Sequence, residues 1–147
     1  PSARYANGAP QIRLFSDLLG RVRALPGVRE ASAVTWLPFA GAGSATSYTV
    51  EGRPPLRSEE EPVADILGVS PGYFHTMGTP ILAGRDFTAH DDSRSAKVII
   101  VNETLARQMW GRDNPIGRQL DLGGGGGEPA TVVGLVRDVR AHSEAEA

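Results

Sequence analysis

A stripe of apolar residues between positions 11 and 25 predicts an amphipathic helix, because these residues recur three and four positions apart. Arginine and aspartate side chains fill the opposite side of this helix, where solvent would contact them. Pro26 and Gly27 follow and are expected to end the helix. The stripe comprises Ile12, Phe15, Leu19 and Val22, and it is widened by Leu14, Leu18 and Leu25.

Shorter apolar runs predict six strands. Residues 97–101 give the strongest of these signals, because four adjacent β-branched residues favour a strand that is buried on both faces. The runs at 48–52 and 118–122 alternate apolar and polar residues, which is typical of edge strands. The remaining predicted strands cover residues 28–37, 63–69 and 131–136.

Helix-capping residues indicate a second, shorter helix within residues 70–78. Ser70 suits the N-cap, Pro71 suits the first helical position, and Gly78 suits the left-handed position after the last turn. These signals predict about two turns of helix. The following residues, 79–96, contain few periodic apolar positions and are expected to be mostly irregular.

A third helix is predicted directly after the strongest strand, over residues 103–110. Asn102 suits its N-cap, and Gly111 is expected to end it. Glu103 and Arg107 lie four positions apart, in the order that favours an exposed ion pair. The predicted inner face comprises Leu105, Ala106, Met109 and Trp110.

Composition and charge narrow the class of protein. The chain has 147 residues, the length of one domain, and 40% of them are apolar, which suffices for a modest core. Its formal net charge of −2 argues against a nucleic-acid partner, which needs a basic surface. The absence of cysteine excludes disulfides and cysteine-based zinc sites. No apolar run approaches the ~18 residues that span a bilayer.

The irregular order of strands and short helices predicts an α+β fold with a mixed β-sheet.

A histidine beside two aspartates, at His90, Asp91 and Asp92, raises the question of a metal site that His75 and Asp86 could join. Loops that bind hard metal ions place their ligands at alternate positions, whereas the side chains of adjacent aspartates point apart. Aspartate in a loop more often caps a turn. We therefore predict turn capping at these positions and no metal site.

Two further patterns invite a nucleotide-binding or catalytic interpretation. The glycine run at 123–127 lacks the lysine and the following helix of a phosphate loop, so we interpret it as a flexible link. Ser44 lies in the sequence GAGSATS, which differs from the Gly-x-Ser-x-Gly turn of a serine hydrolase. We assign no catalytic, cofactor-binding or metal-binding residue, and we predict that the chain is not an enzyme.

One arginine and two tryptophans have both a structural and a binding interpretation. Arg85 and Asp86 are interpreted as a surface ion pair at a turn, with anion binding by Arg85 as the alternative. Trp36 and Trp110 could stack on a sugar, but both have the phase of core residues and are expected to be buried. Trp110 should then pack against the strands at 98–101 and 131–136.

Four segments in a fixed order carry a family resemblance. They are LLGRVRALPGV (18–28), VSPGYFHTMGTPILAGRDFT (69–88), VIIVNETLARQMWGRDNPIGRQL (98–120) and TVVGLVRDVR (131–140). In this order they resemble the MacB-like periplasmic core domain of FtsX/MacB-type ABC transporter permeases, and within that class the acidobacterial duplicated orphan permeases. The resemblance covers residues 15–140, and its segments are specific in combination. None of them is a catalytic motif.

The resemblance implies a non-catalytic role outside the cytoplasm. Members of the family are permeases of the bacterial inner membrane, and their core domain lies on the periplasmic side. There, the resemblance implies, it transmits conformational change, contacts an adaptor protein or a substrate, or does both. The implied partners are the transmembrane helices of the same parent chain, a periplasmic adaptor, an ABC ATPase subunit and a second permease copy. No cofactor is implied. The alternative is a small periplasmic ligand-binding or hydrolytic domain.

The resemblance also implies a division of the chain. Residues 1–38 resemble a partial porter-like βαβ segment, residues 39–140 resemble a β-rich second subdomain, and residues 141–147 are expected to fray. A βαβ unit places its helix across two or more strands, but one predicted strand adjoins the first helix. We therefore expect a piece of a longer protein in which apolar side chains of this helix are exposed. The expected residues are Ile12, Leu14 and Leu18.

Overall fold

The computed structural model describes residues 8–35, 44–53, 60–92, 94–123 and 129–139, and within these ranges it contains three helices and six strands. In chain order they are α1 (Gly8–Arg23), β1 (Ser44–Val50), β2 (Val63–Ile66), α2 (Tyr73–Thr76), β3 (Ile81–Gly84), β4 (Val98–Asn102), α3 (Glu103–Trp110), β5 (Gln119–Leu122) and β6 (Pro129–Val136). Strands and short helices mix without a regular alternation, which confirms the predicted α+β class.

The six strands form one mixed sheet with the order β2-β1-β5-β6-β3, and β4 also pairs with β6. The β4–β6 pair is parallel, and the other four pairs are antiparallel. Strand β6 therefore joins three other strands, β3, β4 and β5. Buried and less buried residues alternate along β6, as expected for a strand with one covered face.

The core lies where β6, β4 and β5 meet α3. Leu120, Val101 and Val132 are the largest side chains that are almost completely buried there. One continuous cluster of buried side chains comprises Tyr48, Val101, Ala106, Met109, Leu120 and Val132. Trp110 packs against this cluster and is partly buried, in line with the core phase that the sequence predicts for it. It lies in the last turn of α3, where the helix leaves the sheet and meets solvent.

Helix α3 has the bounds predicted from its capping residues. The Asn102 side chain accepts a hydrogen bond from the Leu105 N–H at 3.0 Å, and Gly111 ends the helix with a φ of 64°. The expected ion pair between Glu103 and Arg107 does not form. Glu103 instead accepts a hydrogen bond from the backbone N–H of Asp138 at 3.3 Å, which ties the start of α3 to the end of β6.

Helix α2 is shorter than predicted and begins differently. It covers Tyr73–Thr76, and its N-cap residue is Gly72 rather than Ser70. The Ser70 hydroxyl is engaged elsewhere, because it accepts a hydrogen bond from the Ala33 N–H at 2.8 Å. Gly78 follows the helix with a φ of 66°, which confirms the predicted left-handed position.

The strand predicted over residues 28–37 is wrong over the described residues. Residues 28–33 have no regular secondary structure, and Val34 forms an isolated bridge with Val69. Pro71 lacks an N–H donor and begins the turn before α2, so the pairing does not continue past Ser70. Residues 36 and 37, and with them Trp36, lie outside the described residues.

Three further strand predictions need correction. Strands β1 and β5 are not edge strands, because β1 pairs with β2 and β5, and β5 pairs with β1 and β6. Strand β3 was missed within the region that we expected to be irregular. It is only four residues long, and its partner β6 lies some fifty positions away, so no local pattern indicates it.

Helix α1 confirms the amphipathic helix predicted between positions 11 and 25, although it begins at Gly8 and ends at Arg23. The Arg23 guanidinium donates two hydrogen bonds to the Ala31 carbonyl oxygen, at 2.6 and 3.0 Å, and so fixes the chain reversal after the helix. The apolar stripe is about half exposed, as expected from the sequence. Exposed fractions are 57% for Ile12, 51% for Leu14, 52% for Phe15 and 50% for Leu18.

Candidate functional site

The residues considered for a metal site are engaged in turns. Arg85 donates to both carboxylate oxygens of Asp91, with Nη1 to Oδ2 at 2.7 Å and Nη2 to Oδ1 at 2.8 Å. The Thr88 N–H also donates to Asp91 Oδ2, at 2.7 Å. The hydrogen bond from Arg85 is the main reason that the pKa of Asp91 lies well below its usual range. Asp91 therefore holds a turn together as a carboxylate.

The other members of this set point to different partners. Asp92 accepts hydrogen bonds from the Arg94 and Ser95 N–H groups, at 2.8 and 3.2 Å, and so caps the next turn. His75 lies 2.7 Å from a Glu30 carboxylate oxygen, on another part of the surface. Among residues 8–35, 44–53, 60–92, 94–123 and 129–139, no group of three His, Asp or Glu side chains could hold a metal ion. Turn capping by Asp91 and Asp92 is confirmed.

The predicted partner of Arg85 is wrong. Its carboxylate partner is Asp91, six positions along, and Asp86 offers only its backbone carbonyl oxygen, at 3.0 Å. The Asp86 carboxylate accepts instead from the Phe87 N–H at 2.7 Å. Because both terminal nitrogens of the guanidinium donate to Asp91, Arg85 is a poor candidate for binding a further anion.

The remaining sequence candidates do not come together. Ser44 is the exposed first residue of β1. The glycine run lies outside the described residues except for Gly123, and so does His142.

An open cleft of about 520 Å³ lies at the C-terminal end of α3 and was not predicted from the sequence. Three separate parts of the chain form it, namely the end of β1 and the turn after it, the last turn of α3, and the segment that leads into β5. Trp110 supplies an aromatic surface, and Arg53, Arg107 and Arg118 supply positive charge. Such a mixture of an aromatic ring and convergent charged groups is typical of binding clefts.

Two of the three arginines are held in place by the protein. An Nη2 N–H of Arg53 donates a hydrogen bond to the Met109 carbonyl oxygen, one of the last carbonyls of α3, where a positive charge is favourable. Arg118 contacts Asp113, with 3.2 Å between its Nη2 and the carboxylate oxygen. Arg107, by contrast, makes no side-chain hydrogen bond or ion pair with the residues that the structure describes. Its charge contributes weakly to the low pKa of Asp138.

Sequence reasoning missed this cleft for a physical reason. Arg107 and Trp110 lie three positions apart on one helix, which is a detectable local signal. Arg53, however, reaches them only because β1 and β5 pair, and this pairing brings the turn after β1 next to the end of α3. Nothing in the local sequence around Arg53 indicates that neighbour.

Comparison with protein families gives a match over nearly the whole chain. A family model described as the MacB-like periplasmic core domain matches residues 3–145, which confirms the resemblance inferred from the sequence. The uncharacterized ABC transporter permease YknZ of Bacillus subtilis is 27% identical over 81 residues, which is 55% of this chain and 20% of that protein. The macrolide export ATP-binding/permease protein MacB of Bdellovibrio bacteriovorus is 28% identical over 57 residues, which is 39% of this chain and 9% of that protein.

Solved structures show the same fold. The periplasmic region of MacB from Actinobacillus actinomycetemcomitans superposes with a TM-score of 0.61 at 19% identity, over 90% of this chain and 57% of that region. The extracellular domain of the ABC-type transporter YknZ from Gram-positive bacteria gives a TM-score of 0.57 at 19% identity, over 84% of this chain and 57% of that domain. The chain therefore spans a little over half of these domains and a fifth or less of the two permeases.

None of the helices in the described residues has the length and apolar character needed to cross a membrane.

Proposed function

Because the chain belongs to the MacB-like periplasmic core domain family, we propose that it works as the non-catalytic extracytoplasmic domain of an ABC-type permease in the bacterial inner membrane. In this role it passes movement of the membrane helices to a partner outside the cytoplasm. The single observation that carries the proposal is the family match over residues 3–145. The fold shared with the periplasmic region of MacB supports it.

The way β6 joins the sheet suits a mechanical role. Strands β3, β4 and β5 come from distant parts of the chain, and all three pair with β6. The hydrogen bond between Glu103 and the Asp138 N–H adds α3 to the same unit. A sheet joined in this way moves as one body, because displacing any one of these strands breaks backbone hydrogen bonds to β6.

We also propose the division of the chain that the family resemblance implies. In it, α1 belongs to a porter-like segment of residues 1–38, and the six strands belong to a β-rich subdomain of residues 39–140. The exposed apolar stripe of α1 supports this division, because among the described elements α1 has no strand packed across it. The proposed partners are membrane helices of the same parent chain, an ABC ATPase, an adaptor protein and a second permease copy.

The location is tested by labelling a single cysteine in the complete permease. This chain has no cysteine, and Arg112 is an exposed residue in the turn after α3, so Arg112→Cys introduces a unique thiol within it. A maleimide reagent that cannot cross membranes should label this thiol in intact cells after the outer membrane is permeabilised. Labelling only after the inner membrane is broken would place the domain in the cytoplasm and contradict the proposal.

Transmission of movement is tested with spin labels on the same permease in membranes. The distance between the Arg112→Cys labels of two permease copies should change when a non-hydrolysable ATP analogue is added. A pair of labels within one copy, at Asp65→Cys in β2 and Arg112→Cys, serves as the control and should keep its distance. If the distance between copies stays constant while the ATPase binds the analogue, the domain does not transmit the movement.

A further inference from the structure

The cleft at the end of α3 combines the charge of Arg107, which makes no side-chain hydrogen bond or ion pair within the described residues, and the partly buried ring of Trp110. Within the described residues, the Arg107 guanidinium has all of its N–H donors free of protein acceptors. Trp110, three positions along the same helix, packs on the core with part of its ring and exposes the rest to the cleft. A guanidinium and an indole side by side can bind a carboxylate and an adjacent apolar group at the same time.

Arg53 adds a second positive charge that is already oriented. Its hydrogen bond to the Met109 carbonyl oxygen fixes the guanidinium over the C-terminal end of α3. The partial negative charge at this helix end would otherwise repel an anion, and Arg53 offsets it. The cleft thus has one arginine that neutralises the helix end and another, Arg107, whose guanidinium has no hydrogen-bond acceptor within the described residues.

We propose that this cleft binds an acidic segment of a partner protein, with a carboxylate held by Arg107 and Arg53 and a neighbouring apolar side chain placed on Trp110. The cleft is open, which suits an extended segment lying across it. A peptide can bind there whether or not the domain moves with membrane helices. The site is therefore independent of the function proposed above.

The charges around the cleft favour a peptide over an anionic membrane surface. Glu51 and Asp113 also line the cleft, beside the arginines. A flat, uniformly negative lipid surface would bring phosphates close to both carboxylates and be repelled by them. A peptide can instead present one carboxylate to Arg107 and place neutral groups next to Glu51 and Asp113.

Binding is tested by NMR titration of the 147-residue chain with a capped peptide in which glutamate and leucine alternate. The control probe is the same peptide with glutamine in place of glutamate. We expect saturable shifts of the Trp110 indole N–H and of the Arg107 and Gly111 amides with the acidic peptide only. The chain has two tryptophans, so Trp110→Phe assigns the indole signal. Affinity should fall as salt is raised, because the contact is electrostatic.

Arg107→Gln provides the decisive variant, and Arg21→Gln on α1 provides its matched control with the same change of charge at an exposed position. Loss of a charge-assisted hydrogen bond should weaken binding of the acidic peptide about tenfold for Arg107→Gln and leave it unchanged for Arg21→Gln. Both substituted side chains are exposed, so both variants should keep the amide spectrum of the folded protein.

Results of three kinds would overturn the proposal. The first is the absence of saturable shifts around the cleft with the acidic peptide. The second is equal binding of the glutamine peptide, or an equal effect of Arg107→Gln and Arg21→Gln. The third is binding to phosphatidylglycerol vesicles that depends on Arg107 while the peptide does not bind, which would identify the cleft as a membrane contact.

Discussion

At the residue scale, Asn102 controls where α3 begins. Its side-chain oxygen accepts from the Leu105 N–H, which has no acceptor within the helix. Replacing Asn102 with alanine should lower the free energy of unfolding by about 1 kcal/mol, measured by urea denaturation. Asn102→Ser is the control, since serine can accept the same hydrogen bond. Equal losses from both substitutions would show that the cap does not stabilise the domain.

Asp138 gives the protein a pH-dependent contact between the end of β6 and α3. Its Oδ1 accepts from the Thr104 N–H at 3.0 Å, and its Oδ2 accepts from the Thr104 hydroxyl at 2.7 Å. These bonds favour the charged form, and the bond from the Thr104 N–H is the main reason that the pKa of Asp138 is lowered from 3.8.

The direction of the pH effect follows from this lowered pKa. Well above pH 3.8 the carboxylate is charged in both states, and its contribution to stability is fully present. As the pH falls below that value, the unfolded state binds a proton first, and the contribution is lost. The difference in urea midpoint between the wild type and Asp138→Asn should therefore be constant above about pH 5 and shrink towards pH 2. A difference that grows in acid would contradict this assignment.

At the element scale, the β3–β6 pair depends on two glycines that face each other. Gly84 pairs with Gly134, and a Cβ added at Gly134 would lie 2.5 Å from the Arg85 carbonyl oxygen and 3.0 Å from Ile100 Cγ1. The nearer atom belongs to the backbone and cannot rotate away. Side chains at these two positions would force β3 away from β6.

Gly134→Ala should therefore destabilise the protein by roughly 2 kcal/mol or more, because overpacking forces the backbone to shift. Gly20→Ala in α1 is the control, since a Cβ there meets no atom within 4 Å and alanine favours helix. The two variants are compared by urea denaturation. If Gly134→Ala is as stable as the wild type, β3 does not approach β6 as closely as the structure indicates.

Helices α1 and α3 were predicted well from local sequence signals, whereas the local signals for α2 gave the wrong N-cap. Asn102 and Gly111 mark the ends of α3 correctly, because capping depends on residues within one turn. The amphipathic stripe of α1 was equally clear. Strand pairing, in contrast, depends on distant partners. The alternation in β1 and β5 suggested edge strands, although both strands lie inside the sheet. The cleft could not be predicted from the sequence for the same reason, since Arg53 and Arg107 come to line one cleft only through that pairing.

At the scale of the whole molecule, the apolar stripe of α1 forms an exposed apolar surface. Side chains such as Phe15 and Leu18 are about half exposed, and they lie on one helix face. Exposed apolar patches of this kind promote association. The 147-residue chain should therefore sediment as concentration-dependent oligomers in analytical ultracentrifugation.

Phe15→Lys should shift this equilibrium towards the monomer, because it places a charge within the stripe. Its free energy of unfolding should change by only ~0.5 kcal/mol, as for other surface substitutions. Ser16→Lys adds the same charge at the neighbouring exposed position and is the control, which should leave the association unchanged. Equal effects of the two variants would mean that association is electrostatic, and a monomeric wild type would exclude the stripe as an association surface.

The position of β6 in the chain sets the order in which the protein can fold during synthesis. Ile81 pairs with Val136, and Val98 pairs with Thr131, so β3 and β4 leave the ribosome well before their shared partner does. Until residues 129–136 emerge, the nascent chain can form α1 and the β1–β2 hairpin but cannot close its sheet. A polypeptide whose sheet stays incomplete until its last described strand is made can still pass through a translocation channel in an extended form. Under the extracytoplasmic location proposed above, the late strand would keep the sheet open while the chain crosses the membrane.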